Sequence, residues 1–596
     1  MRAGQGRVLF IPRGGRSVSL NQQSEKIVVL KFGGSVLRDV HALRGAVHEI
    51  YRWRRDGYKV VAVVSALYGE TNRLLALCES VCEDVSGQAK ASVAAIGELT
   101  SAGILGVQLE RAGVPACVIT PASAHMLASG DPFDATPISI NAQAIRDALD
   151  REGVVVFPGF VAVDEHARLV LLGRGGSDLT ALFLAASLGN ARCRLLKDVN
   201  GLYERDPQGL TPPPPRFADA TYDDALNTDG SIIQHKAVNF ARSRSLAFEL
   251  GALNATTFTR IGPGPTHLVQ EPAPPAPRTV ALLGAGVVGG GVFDLLSKHP
   301  DRVRVTAAAV RDVSRHALPG VRISGDALEV AASGADIVVE AMGGIDIPLE
   351  AIKRALAAGS HVVTANKAVI AAHGPELHAL AASRGVRLLY SASVGGSTPV
   401  LEAIANRAAQ PNAPRLTRVR GILNGTTNFV LSRVAHGDTF AEAVREAQRR
   451  GFAEADPSRD LGGLDALDKL RVIALAAGLG EIHNPSLQPL SDAALAGFIT
   501  RPANTVLRHV AWLDAYEGTP KAGVHLGAID AGDALFDCPG AKNTVTLEWS
   551  DGLTHTIRGS GAGRWPTSES VVADIFTLLR ETRARQAASH HPGAVA

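Results

Sequence analysis

The sequence predicts an α/β protein with two parallel, doubly covered sheets in series. Three observations predict it. A β-branched strand, a glycine turn and an amphipathic helix follow one another near the start of the chain, and the same order recurs in its second half. Between the two lies Gln270-Glu271-Pro272-Ala273-Pro274-Pro275-Ala276-Pro277, which cannot enter a helix or a sheet interior and reads as a semi-rigid spacer. The composition, 46% hydrophobic and 20% charged over 596 residues, is globular and large enough for about three to five domain-sized units.

Taken in order, the segment before Lys26 carries Arg2, Arg7, Arg13 and Arg16 and no acid until Glu25. Such a start is shared by organellar transit peptides and by plain flexible extensions, and the second reading is preferred. Ile27 to Leu30 and Lys59 to Ser65 read as buried strands, the first running into Gly33-Gly34. Pro212 to Pro215 reads as a surface loop. Beyond the spacer, Thr279 to Leu283 and Arg302 to Val310 are strands, and the Ala/His/Gly-rich segment after Arg583 is expected to fray. The expected units are therefore 1–25, 26–268, a linker over 269–278, 279–410, 411–582 ending in a helix, and a tail over 583–596. The linker is expected to keep the two halves independent, each with its own core.

Charge and cysteine usage exclude several function classes. Lys+Arg is 60 against Asp+Glu 58, a net charge of +2, which gives no electrostatic footprint for nucleic acid or an anionic membrane. The longest apolar runs are too short to span a bilayer. Five scattered cysteines suit a reduced, cytoplasmic protein rather than a disulfide framework, and Cys78 and Cys82 lack the further ligands of a zinc site.

In the second half, Gly284-Ala285-Gly286-Val287-Val288-Gly289 directly follows a strand. In that context the pattern reads as a dinucleotide loop. Gly284 makes the turn, Gly286 admits a pyrophosphate, and Gly289 lets the helix close on the strand, with Val287 and Val288 opening that helix. The next strand ends at Val310-Arg311-Asp312. An acid there selects NAD and an arginine NADP, so the choice stays open with a lean to NADP through Arg311. Val362-Val363-Thr364-Ala365-Asn366-Lys367 puts Thr364 and Lys367 at a strand end, on the ligand crevice, although taken alone Lys367 reads equally well as a solvated surface lysine. Asp465 and Lys469 are four apart on a helical stretch, with Glu454 on the loop leading in. From spacing alone a surface ion pair is the preferred reading of that pair, although a lysine between carboxylates can also hand a proton to a developing alkoxide.

These motifs, with Tyr390 to Pro399, Asn424-Gly425-Thr426-Thr427-Asn428-Phe429 and Gly559-Ser560-Gly561-Ala562-Gly563, resemble homoserine dehydrogenase over Thr279 to Arg580. The resemblance implies reduction of L-aspartate 4-semialdehyde to L-homoserine by NADPH or NADH, on a Rossmann domain followed by an α+β catalytic and dimerisation domain. It makes Lys469 the proton donor, Glu454 the ligand of the homoserine amine and Asp465 a substrate-site acid. Lys367 would contact cofactor and substrate, and Gly561 would line the cofactor. It also implies a sodium ion on the backbone carbonyls of Ser391, Val394, Gly396 and Thr398. Ser391 stands where the family often has Glu, which puts that ion in question.

The first half has no Gly-Lys dipeptide and hence no Walker A loop. It has instead Lys31-Phe32-Gly33-Gly34-Ser35 after a strand, Leu172-Gly173-Arg174-Gly175-Gly176-Ser177-Asp178, and Lys197-Asp198-Val199-Asn200-Gly201-Leu202-Tyr203. Amides and cations gathered at strand ends suit a transferring phosphate. With Ser65 to Asn72 and Gly97-Glu98, they resemble aspartate kinase, of the amino-acid-kinase α/β sandwich fold, over Lys26 to Leu268. The resemblance implies ATP with Mg²⁺. Lys31 and Asp178 would serve the transfer, Arg174, Glu98 and Ser65 the aspartate, and Gly33, Gly34, Ser35, Asp198 and Tyr203 the nucleotide. Two departures stand out. Ile232 occupies the place of a nucleotide-facing lysine, with Lys236 out of register, and no stretch of this sequence is expected to form the regulatory ACT domains usual in that family.

The expected protein is thus a fused aspartate kinase and homoserine dehydrogenase acting on small molecules, a homo-oligomer with no nucleic acid or membrane partner. The alternative is a dehydrogenase with an inactive kinase-like module kept for assembly or ligand sensing.

Overall fold

The computed structural model describes residues 26–590 except 211, 229, 231, 272–274, 498–503 and 517, and side chains only as far as 582. The expected extension over 1–25 and the last six residues lie outside the described residues. The first unit is a nine-stranded sheet among the described residues. It runs in the order His267–Val269, Arg216–Ala220, Thr259–Ile261, Phe248–Ala252, Arg192–Lys197, Ile27–Phe32, Lys59–Val64, Val154–Pro158, Cys117–Val118. Its central strands are parallel and apolar on both faces. Val29, Val61, Val63, Val155, Phe157 and Leu195 point into one core, while Val28, Leu30, Val60, Ala62, Val154 and Leu196 point into the other. That alternation is the period of two expected for a sheet covered on both sides.

The second unit is a six-stranded, all-parallel sheet in the order Arg322–Ser324, Val303–Ala309, Arg278–Leu283, Ile337–Glu340, His361–Thr364, Leu388–Leu389. Beside it lies a mostly antiparallel sheet of Ser486–Leu487, Lys521–Asp530, Thr505–Asp514, Leu416–Ile422, Lys542–Trp549 and Thr554–Ser560. The helix Gly87–Arg111 is long and apolar enough to cross a membrane by length and composition, but Ala94, Ala95, Ala102 and Leu105 seat it in the first unit's cores.

The last helix, Arg564–His590, corrects two sequence expectations. It continues through 583–590, where a frayed tail was expected. It also joins the two halves. Val571, Val572, Ile575, Phe576, Leu578 and Leu579 pack on the parallel sheet of the second unit, while Ala573 belongs to a core of the first. From helix Leu43–Arg55, His48 approaches Glu569 at 3.3 Å and Arg55 pairs with Asp574 and, at 2.8 Å, with Glu402. Leaving one member of such a buried pair alone would cost ~3–5 kcal/mol. The halves therefore share an interface, because one helix presents different faces to two sheets.

The proline-rich connection is anchored at its start, at Gln270 and Glu271. Arg216 donates to Glu271 at 2.6 Å, and Gln270 donates to the Pro213 carbonyl at 2.7 Å.

Candidate active sites

In the first unit Lys31 lies opposite Leu195 on the neighbouring strand, so Lys197, two residues further, projects from the same face. Asp178, in the first turn of helix Gly176–Ser187, packs onto that face and meets Lys31 at 2.6 Å and Lys197 at 2.9 Å. Gly175 supplies the left-handed residue that starts this helix, with φ +74°. Burial pushes Lys31 down to about 8 against the pull of Asp178. Burial alone would raise Asp178, but the two ammoniums hold it down at about 2. Glu98, on helix Gly87–Arg111, is buried beside this trio with one carboxylate oxygen lacking a hydrogen-bond partner, and burial raises it to about 7.

The Gly33-Gly34-Ser35 turn caps the same strand ends: the Gly33 amide reaches the Leu196 carbonyl at 3.4 Å and the Ser65 amide reaches that of Phe32. Arg174 and Asp198 are exposed at this rim. Tyr203 instead faces the linker, its hydroxyl donating to Glu271 at 3.4 Å. Ile232 packs against the core, and Lys236 is held by Asp134 at 2.5 Å and by the carbonyls of Ala135 and Leu172. The sequence reading missed Lys197, whose signal was its two-residue offset from Leu195 across from Lys31.

In the second unit the glycine loop has the geometry of a dinucleotide cradle. Gly284 has φ +96°, and a Cβ there would lie 2.7 Å from the Ala341 carbonyl oxygen. A Cβ on Gly289 would lie 1.8 Å from the Gly284 oxygen. Gly286 has no atom within 4 Å of its Cβ position, so it is open to a ligand, and Val287 is 67% exposed at the start of helix Val287–Leu296. Arg311 is exposed at the next strand end, while Asp312 caps the turn Val313–Arg315 and pairs with Arg315 at 3.0 Å.

Strand ends Ile337–Glu340 and His361–Thr364 are tied together by Thr364, which donates to the buried Glu340 carboxyl at 2.5 Å; burial raises Glu340. The Asn366 amide donates to Thr364 Oγ1, which fixes the start of helix Lys367–Ser383. Lys367, first in that helix, reaches Asp465 at 3.0 Å, and Lys469 reaches the same carboxylate at 2.9 Å. Lys469 also donates to the Leu423 carbonyl at 2.5 Å. Asn424 bridges Asp465 and Asp460, at 2.9 and 2.7 Å.

Burial works against the charge of both Asp465 and Lys367. The two lysines nevertheless hold Asp465 well below the usual carboxylate range, and Asp465 holds Lys367 above its own. Burial, then Asp465, pushes Asp460 up. The Asp465–Lys469 pair is thus a buried centre. Glu454 is exposed on its loop, outside the trio. Asn424 stood inside a quoted motif and Asp460 lies between Glu454 and Asp465, yet only their tertiary proximity marks them out.

The expected sodium carbonyls lie on the turn after strand Leu388–Leu389. The Ser391 oxygen accepts from the Val394 amide at 3.4 Å, that of Thr398 from Val400 at 2.8 Å, and that of Gly396 from the Tyr51 hydroxyl at 3.5 Å.

A parallel dinucleotide sheet whose strand ends carry a buried lysine–carboxylate centre defines a nicotinamide-dependent oxidoreductase, here fused behind a second α/β unit with its own lysine–carboxylate site. The homoserine dehydrogenase family model matches residues 399–576 and the homoserine dehydrogenase NAD binding domain model matches 284–391. The chain is 33% identical over 321 residues to the homoserine dehydrogenase of Pseudomonas aeruginosa, covering 51% of this chain and 73% of that protein. The crystal structure of a homoserine dehydrogenase from Thiobacillus denitrificans aligns with 54% of this chain and 76% of its own, at 31% identity and a TM-score of 0.47.

Residues 26–246 match the amino acid kinase family model. There the chain is 32% identical over 218 residues to an aspartate kinase of Pseudomonas putida, spanning about half, 53%, of that relative's length. The chain belongs to the homoserine dehydrogenase family through its second half and carries an amino acid kinase domain, similar to aspartate kinases, fused in front of it.

Proposed function

We propose that the second half interconverts L-aspartate 4-semialdehyde and L-homoserine with NADP(H) or NAD(H), and that the first half phosphorylates L-aspartate with Mg²⁺-ATP. The observation that carries the first reading is Asp465 held between Lys469 and Lys367, with Lys367 starting the helix that follows a strand of the same sheet that carries the open glycine loop. The dinucleotide, when bound, supplies the hydride. Lys469 gives its proton to the carbonyl oxygen of the semialdehyde, or takes it back from homoserine in the other direction. Asp465 pairs with that ammonium and aims it, while Asp460 and Glu454 are available for the substrate's amino group. Lys367 orients the substrate next to the strand end fixed by Thr364, and Gly561 lies against Asn543, which donates to the same Leu423 carbonyl as Lys469. Arg311 is free to meet a 2′-phosphate because Asp312 is engaged in its own turn, which supports NADP.

The kinase reading rests on Lys31 and Lys197 around Asp178, two cations suited to charge spread over a transferring phosphoryl group. Glu98, with an unpartnered buried oxygen, suits the aspartate ammonium, and Arg174 and Ser65 its carboxylates. A second reading, a kinase-like module without activity, is supported by Ile232 in the core and by Glu271 on Tyr203. Purified protein assayed for homoserine-dependent NADP⁺ reduction and for aspartate-dependent ADP release tests both. We further propose a cytoplasmic homo-oligomer, in line with cysteines that are all unpaired among the described residues.

A further inference from the structure

The turn Ser391–Thr398 belongs to the dehydrogenase half, yet much of its polar surface is met by the kinase half. Arg55 is 8% exposed and sends one guanidinium nitrogen to both Ser391 Oγ, at 3.2 Å, and Asp574, while its Nε meets Glu402 at 2.8 Å. Ser391 Oγ also donates to Asp574 at 2.8 Å, and its amide donates to the other oxygen of that carboxylate at 3.0 Å. The Tyr51 hydroxyl, one helical turn before Arg55, donates to the Gly396 carbonyl. Ser397 Oγ donates to the Gly113 carbonyl at 2.6 Å, and the Ser560 amide reaches the same oxygen at 3.2 Å.

Three of the four carbonyls expected to hold sodium, those of Ser391, Gly396 and Thr398, therefore already accept protein donors. A cation on this turn would also sit against a buried guanidinium. Each of those oxygens has given one of its two lone pairs to a protein donor, and the guanidinium supplies the positive charge that a cation would otherwise bring to the turn.

We propose that Arg55 and Tyr51 of the kinase domain take the place of a monovalent cation on this turn, so that the N-terminal half is a structural cofactor of the dehydrogenase. Arg55 is a positioning residue, and a chain of contacts links the turn to the chemistry. The Ser397 amide donates to the Ser560 carbonyl, Gly561 follows Ser560 and lies against Asn543, and Asn543 donates at 3.4 Å to the Leu423 carbonyl, the same oxygen that holds Lys469. The proposal rests on the dehydrogenase reading only for its effect on rate; the exclusion of the cation can be read without activity.

The test uses the full chain in buffers of equal ionic strength containing Na⁺, K⁺ or tetramethylammonium chloride. For the wild type, the thermal midpoint is expected to agree within about 1 °C across the three salts, and kcat for homoserine oxidation within about twofold. A bound ion would stabilise the native state in proportion to its occupancy. A rise of more than about 3 °C in Na⁺ or K⁺ over tetramethylammonium would overturn the proposal, whether or not the protein oxidises homoserine.

Arg55→Met is expected to lower kcat about tenfold with the dinucleotide Kd within about twofold, and to make midpoint and rate respond to Na⁺ or K⁺. Tyr51→Phe preserves the packing and is expected to uncover a smaller Na⁺ response, about twofold in kcat, which keeps the test open if Arg55→Met does not fold. Unchanged kcat in Arg55→Met, or no cation response in Tyr51→Phe, would contradict it.

Discussion

Each half of the chain holds one aspartate between two lysines, and the two trios are built in different ways. Around Asp178 the lysines come from adjacent strand ends and the acid from the first turn of a helix. Around Asp465 the acid and Lys469 lie one turn apart on the same helix, Leu464–Ala476, and the second lysine starts a helix of the neighbouring dinucleotide unit. The strand-built trio is sealed, with Lys31 only 6% exposed, and burial draws its ammonium toward neutrality. The helix-built trio is open on one side, where Lys367 is 35% exposed, and its acids keep that lysine charged. The same three side chains thus give a cation that titrates near pH 8 in one site and one that stays charged in the other. Burial and the number of acids facing each lysine, not residue type, decide it.

The largest expected effect breaks the helix-built trio. Lys469→Ala should lower kcat for homoserine oxidation ~10²–10⁴-fold, the usual worth of a positioned acid–base group, with dinucleotide Kd nearly unchanged because the glycine loop is separate. Loss within about tenfold would remove Lys469 from that role. Asp178→Asn should lower aspartate phosphorylation by about 10²-fold or more. It should leave homoserine oxidation within about twofold, since Asp178 faces away from the shared helix. Equal loss of both activities would mean that the sites are not separate.

A pH profile sharpens the contrast. Lys31 carries its charge below about 8 and loses it above, so kinase rate should fall as pH rises through that value. Glu98 is charged only above about 7, so aspartate binding should weaken as pH falls through it. A bell with limbs near 7 and 8 is expected for the kinase, whereas Lys367, held above its ordinary value, adds no descending limb there for the dehydrogenase. A flat kinase profile between pH 6 and 9 would contradict this assignment. The smallest effect concerns the cofactor. Arg311→Ala should weaken NADP about tenfold while NAD changes little, corresponding to a charge-assisted bond of ~1.5–3 kcal/mol at most partly exposed to water. Parallel loss of both would place Arg311 away from the ribose.

Much of both folds was legible because local rules and tertiary structure agree. The strand Ile27–Phe32 is apolar on both faces as a central parallel strand must be, and Gly284 and Gly289 sit where a side chain would collide with backbone. The sites were legible in part. Lys31, Asp178, Lys367, Asp465 and Lys469 do meet in two clusters, but i, i+4 spacing could not separate a surface ion pair from the buried Asp465–Lys469 pair. That distinction depends on Asn424, Leu423 and Lys367, which come from distant segments. Glu454 and Arg174, at exposed loop positions, are not drawn into either trio without a substrate. The shared interface was not legible. Nothing near Arg55 in sequence points to Ser391, Glu402 or Asp574, and a proline-rich linker argues for separation until helix Arg564–His590 is seen to hold the halves together.

The central claim, two chemistries in one chain, is tested most directly by aspartate-dependent ADP release from the purified full chain, with homoserine-dependent NADP⁺ reduction measured on the same sample. The account predicts both activities in the wild type, with Asp178→Asn losing the first and keeping the second. Homoserine oxidation without any aspartate-dependent ADP release would contradict it and leave the first half as a structural partner of the dehydrogenase alone.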